Sequence, residues 1–459
     1  DIICLLKERA YQMKNKIENL TEGVIWKKIV LFAIPIMLSN LLQQLYNACD
    51  SAVVGNFAGS EALAAVGSTG ALINLLVGFF LGISTGTGVI FSRYFGADDE
   101  KKLLDVMNAA VMLSIICGIF IMIIGLIWTT DLLKIMHCPE DVINLATTYL
   151  RIYLLGMVGM LVYNVGSGII RACGDSKHPL YYLMFSGILN LILNLIFVAG
   201  FNMGVAGSAL ATAISQFFSA FLVIMNLVRI PYSYRLNIRK IKFNKETAKQ
   251  IIKISVPCGL QSSMFNISNM IVQIKINDFG SVAMAGCAAY EKIDGFLYMP
   301  MMALGLSIST FVGQNIGAGK YERIKKGVNV CLVLSVIMTM IGSAIVLLTG
   351  GRLLNVFTDN EEVKNIGILM MFILAPFTWT HSFTEILGGA IRGAGSAVQV
   401  MVITALNICV LRIIWMIVAL PIKSDIKVLS WCYPVSWIIC SICFIAYYVK
   451  GNWLKELNG

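Results

Sequence analysis

Of the 459 residues, 58% are hydrophobic and only 13% charged, and the mean hydropathy is +0.80. Soluble domains carry roughly 25% charged residues, so this chain lacks the charge to cover a water-facing surface, and soluble enzymes and soluble binding modules are excluded. The net charge of +10 reads as a bias at a membrane surface; stacking aromatics are not interleaved with the basic residues as in a nucleic-acid module.

Apolar stretches of about 20 residues, enough to cross a roughly 30 Å hydrocarbon core, follow one another along the chain. They lie near 29–57, 62–91, 104–128, 142–170, 179–200, 205–228, 250–277, 283–312, 327–349, 363–391, 398–420 and 428–449. Solid runs of this length predict helices, because a barrel shows short alternating segments. The expected fold is an all-α integral membrane protein, with about twelve transmembrane helices in two pseudo-symmetric six-helix lobes arranged as parallel repeats.

Lys and Arg concentrate in alternate loops, which places both termini in the cytoplasm. The largest basic cluster runs from Arg229 through Arg235, Arg239, Lys240, Lys242, Lys245 and Lys249 to Lys253, whereas Asp359, Glu361 and Glu362 mark an outer loop. The domain reading is a cytoplasmic N-terminal segment (1–28), an N-lobe (29–228), a cytoplasmic linker (229–249), a C-lobe (250–449) and a cytoplasmic tail (450–459). No cleavable signal peptide is expected, since the first apolar segment has spanning length and no small-residue cleavage pattern; Met13-Lys-Asn-Lys-Ile17 has the form of a natural start. The twelve cysteines are scattered through apolar segments. Cys440 and Cys443 form a C-x-x-C with no second pair nearby, so no metal or redox role is assigned to them.

The chain repeats itself at an offset near 221. Ile34-Pro35 pairs with Val256-Pro257, Asn47 with Asn269, and Phe57–Gly96 with Phe279–Gly317. Tyr94-Phe-Gly-Ala97 pairs with Asn315-Ile-Gly-Ala318, and Ile170-Arg171-Ala-Cys-Gly174 with Ile391-Arg392-Gly-Ala-Gly395. Two parallel lobes with a cleft between them suit an alternating-access carrier.

Several of these segments resemble multidrug and toxic compound extrusion (MATE) transporters. They are Pro35 with Asn40-Leu-Leu-Gln-Gln-Leu-Tyr-Asn-Ala-Cys-Asp50, Val54-Gly-Asn-Phe-Ala-Gly59, Ala289-Tyr-Glu-Lys-Ile-Asp294 with Phe296 and Pro300, Gly313-Gln-Asn-Ile-Gly-Ala-Gly319, and Ile391-Arg-Gly-Ala-Gly395. The resemblance covers the chain from about Leu20 onward. It implies a secondary active exporter of bulky, often cationic, aromatic compounds, driven by H⁺ or Na⁺ antiport, in the inner or plasma membrane of a prokaryote; a complete two-lobe carrier is expected to act as a monomer. It also implies a cation-coupling site at Asp50, Asn190, Asn194 and Thr212. Asn194 departs from the family pattern, which usually has Asp there.

The residues support the same cluster on physical grounds. Asp50, Asn194 and Thr212 each lie about two turns from the outer end of their helices, and Asn190 shares a face with Asn194. Hard cations take oxygen ligands, and a buried carboxylate favours a partner that neutralises it. A substrate surface is expected from Gln43, Gln44, Tyr46, Asn47, Asn164, Asn269, Tyr290, Glu291, Asp294, Phe296 and Met299, a mixture of amide, aromatic, acidic and thioether groups suited to varied cations. For Glu291 and Asp294 an ion pair with Lys275 or Arg412 is the competing reading, and for Glu385 a snorkelling acid or a partner of Arg392. The glycines of the second and eighth spans, among them Gly78, Gly82, Gly86, Gly88, Gly305 and Gly313, are assigned to close helix packing and bending and not to a phosphate loop.

Gly82-Ile-Ser84-Thr-Gly86 matches a nucleophile-elbow pattern but lies in mid-helix, and none of His137, His178 and His381 is placed near it. No nucleotide-binding loop is present, so no cofactor is expected beyond the coupling ion. The rival readings are a lipid or lipid-linked sugar flippase of the same superfamily and, from another class, an intramembrane enzyme.

Overall fold

A computed structural model describes residues 19–136, 138–230, 234–237, 242–451 and 453–454. The N-terminal 18 residues, most of the C-terminal tail, His137, Arg239 and Lys240 lie outside the described residues, as do the expectations attached to them. Among the described residues the chain is helical, without strands.

The elements are α1 (Ile25–Phe57), α2 (Ser60–Gly96), α3 (Glu100–Ile135), α4 (Ile143–Leu155), α5 (Met157–Ala172), α6 (Lys177–Asn194) and α7 (Gly204–Arg229), then α8 (Lys245–Asn277), α9 (Ser281–Gly317), α10 (Tyr321–Leu354), α11 (Glu361–Leu374), α12 (Thr378–Gly393), α13 (Ala397–Thr404), α14 (Leu411–Ile422), α15 (Ile426–Ser430) and α16 (Cys432–Lys450). A π-helical turn, Leu195–Gly200, extends α6, and another, Ala405–Val410, joins α13 to α14.

Nine described helical spans are long and apolar enough to cross a bilayer, and eleven if α4 with α5 and α11 with α12 each count as one bent span. The bends are 47° and 55° and occupy equivalent places in the two repeats. The remaining expected span is α8, 33 residues long. Gln261, Ser262, Ser263, Asn266, Ser268 and Asn269 give it a more polar composition than its neighbours. The outward faces are apolar: α3 exposes Phe120 (63%) and Ile127 (65%) while burying Met107 and Leu133. Lipid, not water, accounts for such a face.

The fold divides into two compact units. Unit 1 holds 38–255 and unit 2 holds 20–37 with 256–459. The division therefore falls inside α1 and α8, next to Pro35 and Pro257, and not in the basic stretch 229–249.

In unit 1, helices meet where side chains are smallest. A Cβ on Gly88 would sit 3.3 Å from the Gly168 carbonyl oxygen, one on Gly159 2.9 Å from the Phe217 nitrogen, and one on Gly86 2.4 Å from Ser255 Cα. Without a hydrophobic force between helices in lipid, this close backbone approach supplies dispersion contact. Arg171 donates from Nη2 to Ser84 Oγ (3.4 Å), and Ser84 donates to the Asn164 carbonyl, so Ser84 is a packing hydroxyl.

Unit 2 repeats the device. A Cβ on Gly389 would lie 2.4 Å from the Gly305 carbonyl oxygen, and one on Gly393 2.5 Å from that of Ser309. The Gly313–Gly319 motif holds the chain entering α1. Gln314 Oε1 accepts from the Leu20 amide (3.1 Å), Asn315 Nδ2 donates to the Leu20 carbonyl (3.4 Å), and Arg323 Nη2 donates to the Glu22 carbonyl (2.9 Å). The repeat is also written in the backbone. Gly59 and Gly280 have φ of 91° and 90°, and Gly174 and Gly395 have 94° and 92°, a region where a Cβ is strained.

Candidate functional site

In unit 1, α1, α6 and α7 bring Asp50, Asn190, Asn194 and Thr212 into one hydrogen-bonded cluster. Asn194 Nδ2 donates both to Asp50 Oδ1 and to Asn190 Oδ1, the latter at 3.0 Å. Asn190 Nδ2 donates to Thr212 Oγ1 (3.2 Å), and the Thr212 hydroxyl donates to Asp50 Oδ2 (3.3 Å). The helical period explains the pair on α6: residues four apart stack on one face. Directly after Asn194 the helix widens into its π-helical turn, with the Phe201 amide bonded to the Ile196 carbonyl at 2.9 Å; such turns recur at functional sites.

Three members of the cluster are 1–3% exposed, and Asp50 is half-buried. Among the described residues no Lys, Arg or His lies within 4.0 Å of the Asp50 carboxylate, so its charge is met by neutral donors. The Asn194 amide turns its NH₂ toward the carboxylate, the orientation an anion demands. That leaves Asn194 Oδ1 buried with no hydrogen-bond partner.

Tyr46, expected on the substrate surface, joins this cluster: its hydroxyl donates to Thr212 Oγ1 at 3.4 Å. The available signal was its place one turn before Asp50. Gln44 and Asn47 are exposed and Gln43 is half-buried. Asn164 faces inward instead: it is 9% exposed and spends its amide on the Met160 carbonyl one turn back (2.8 Å).

In unit 2, Glu291, Phe296 and Asn269 are exposed, and Asp294 and Met299 are half-buried. The Tyr290 ring is a core group, 1% exposed, with its hydroxyl donating to Asp294 Oδ1 at 3.2 Å. Neither Glu291 nor Asp294 forms an ion pair with Lys275 or Arg412; Lys275 pairs with Asp278 at 3.0 Å. Glu385 does not snorkel. It is 8% exposed, accepts from the Tyr298 hydroxyl (3.0 Å) and faces His381 Nε2 (3.7 Å). Arg392 instead donates to Gln261 Oε1 (2.9 Å). His381 is walled by Phe265, Tyr298 and Trp437 at 5.4–6.1 Å between ring centroids.

The sequence reading missed one further cluster. Arg412 on α14, 2% exposed, donates from Nε to Ser436 Oγ (3.0 Å) and from Nη1 to Asn269 Oδ1 (2.9 Å), and it stacks 4.5 Å from the centroid of Tyr433. The signal was in the repeat, which sets Arg412 against Asn190 at an offset near 221.

Doubled helical repeats with lipid-facing flanks and polar clusters buried at membrane depth define a multi-pass membrane transporter. The sequence pattern of the MatE family matches twice, at residues 35–196 and 257–418. The chain therefore belongs to the MatE family of multidrug-efflux transporters.

The probable multidrug resistance protein YpnP of Bacillus subtilis is 31% identical over 401 residues, covering 86% of this chain and 89% of that protein. The probable multidrug resistance protein NorM of Thermotoga maritima is 23% identical over 449 residues, 96% of each. A crystal structure of a MATE transporter in its bent conformation matches with a TM-score of 0.89 at 21% identity, over 96% of this chain and 99% of that one. At that identity the match speaks for the fold alone.

Proposed function

We propose that this protein is a secondary active exporter that exchanges a monovalent cation, H⁺ or Na⁺, for small cationic aromatic compounds by alternating access. The observation that carries the reading is Asp50: one carboxylate on α1 at membrane depth, held by neutral donors from α6 and α7. An intramembrane acid is costly, about 2.5–3.5 kcal/mol at a helix centre on insertion scales. Binding a proton or Na⁺ removes that cost and changes which groups bridge α1, α6 and α7. A proton turns Asp50 into a donor, and the Asn194 oxygen lacks one. Na⁺ instead would take Asp50, Asn190, Asn194 and Thr212 oxygens after the Asn194 amide turns over.

One unit charge moving through about 100 mV supplies about 2.3 kcal/mol, enough for a substantial uphill gradient of solute. The relatives named for multidrug resistance support the substrate class, as do the exposed Asn47, Glu291 and Phe296. The basic residues of alternate loops support cytoplasmic termini in the inner or plasma membrane of a prokaryote, and a two-unit chain supports a monomer.

The test is ethidium uptake into everted vesicles, the direction that corresponds to efflux from the cell, wild type against Asp50→Asn, with Na⁺ and the pH gradient imposed separately. Wild-type uptake should follow one of the two ions and fall to the background of protein-free vesicles in the variant. A folded variant with unimpaired, ion-dependent uptake sinks the assignment of Asp50.

A further inference from the structure

The repeat that relates the two units reverses its polarity at one place. An offset near 221 carries Asn190 of α6 onto Arg412 of α14, Thr212 of α7 onto Tyr433 of α16, and Asn47 of α1 onto Asn269 of α8. In unit 1 these helices surround a carboxylate without a basic partner. In unit 2 the corresponding helices surround a guanidinium without an acidic one. Each site also adjoins a π-helical turn, Leu195–Gly200 after Asn194 and Ala405–Val410 before Arg412.

The hydrogen bonds of Arg412 use only part of its fork. Nε is taken by Ser436 Oγ (3.0 Å), and Nη1 by Asn269 Oδ1 (2.9 Å) and Ser268 Oγ (3.5 Å). Among the described residues no carboxylate lies within 4.0 Å of the guanidinium, and Nη2 donates to none of them. A guanidinium matches a carboxylate through two parallel N–H bonds, and neutral acceptors leave that capacity unused. Stacked on Tyr433 and tied to α8 and α16, the group is oriented before any ligand arrives, which lowers the cost of binding one. Asn269, whose oxygen takes an Nη1 hydrogen, is exposed. The fork therefore sits one side chain below the accessible surface of its unit, and Asn269 Nδ2 is a further donor beside it.

We propose that Arg412 and Asn269 form an anion subsite in unit 2 that takes a carboxylate carried by an aromatic solute. The inference rests on the exporter reading and narrows it: solutes bearing a carboxylate, zwitterions included, gain a contact at Arg412 that plain cations do not. A guanidinium that only ties α8, α14 and α16 together is the competing outcome.

The test uses the full chain in lipid nanodiscs and a matched pair of dyes, a rhodamine methyl ester and its free-acid parent, with binding read by fluorescence anisotropy. Arg412→Gln should weaken the free acid about tenfold, equivalent to about 1.4 kcal/mol, and leave the ester within about twofold. Arg412→Lys, which keeps the charge but not the fork, should fall between. Equal losses for both dyes, or no loss for either, overturn the subsite. Should Arg412→Gln fail to fold, an unchanged acid-to-ester preference in Arg412→Lys overturns it equally. Export of the two dyes from wild-type vesicles separates the two readings: export of neither overturns the exporter, while the binding preference still decides the subsite.

Discussion

Asp50 and Glu385 are both acids placed among helices, yet their surroundings ask different things of them. Asp50 accepts from the Asn194 amide and the Thr212 hydroxyl, partners that hold a charge without cancelling it. Asn194→Asp would put a second carboxylate against the first, and two carboxylates in contact hold a cation between them. We expect the variant to reach half-maximal dye uptake at a lower concentration of the coupling ion, read by titrating that ion in everted vesicles; an unchanged or weaker dependence sinks the idea. Glu385 instead closes a buried set with Tyr298 and His381. Glu385→Gln keeps an acceptor for the Tyr298 hydroxyl, whereas Glu385→Ala strands it, at a cost of about 1–3 kcal/mol for an unsatisfied buried group. Thermal unfolding followed by tryptophan fluorescence should rank alanine well below glutamine, and equal melting would remove that role. The four-residue cluster around Asp50 was legible in the sequence because the family resemblance named its members, and helix rise and period agree with their lying at one level of one lobe. The exposure of the residues expected on a substrate surface was legible only in part. Whether an amide such as Asn164 or a ring such as Tyr290 points inward depends on helix rotation, which neighbouring helices set and spacing alone does not.

At the scale of the helices, length and apolarity in the sequence located the spans, and the structure adds why they lie where they do. Composition alone undersells α8, since polar residues along it bond across to neighbours: Gln261 donates to Thr404 (3.1 Å) and Ser268 to the Ile408 carbonyl (2.7 Å). The glycine-rich helices were read as packing surfaces, and the contacts at Gly86, Gly88 and Gly305 agree. Which glycines matter most needs the structure. Gly389 has the Gly305 oxygen 2.4 Å from where a Cβ would stand, while Gly67, also within a helix, has nothing within 4 Å. Gly389→Ala should therefore cost about 1–3 kcal/mol, as overpacking does. Gly67→Ala should be neutral or slightly stabilising, because alanine restricts the unfolded chain and favours helix by up to about 1 kcal/mol. The comparison is made on detergent-solubilised protein by thermal unfolding, and a Gly67 variant as damaged as the Gly389 one would contradict it.

For the molecule as a whole, the repeat was the most legible feature, because paired landmarks keep their spacing through both halves. The place where the two units divide was not legible, since it follows packing and not chain order. It falls between 37 and 38 in α1 and between 255 and 256 in α8, within two residues of Pro35 and Pro257. A proline inside a helix has no N–H to give the carbonyl four residues back and crowds it as well, so both helices are weakest in bending near the point where they pass from one unit to the other. The proposed alternating-access cycle would ask the shared helices to bend there without losing their packing on either side. Pro257→Ala would restore the missing backbone bond and stiffen α8. We expect efflux to slow several-fold with dye affinity unchanged, and Pro35→Ala with Pro257→Ala together to slow it further. Rates from vesicle efflux and affinities from anisotropy separate the possibilities. A fall in affinity equal to the fall in rate would mean that the prolines shape a binding surface, whereas a fall in rate alone would mean that bending of the shared helices limits the cycle.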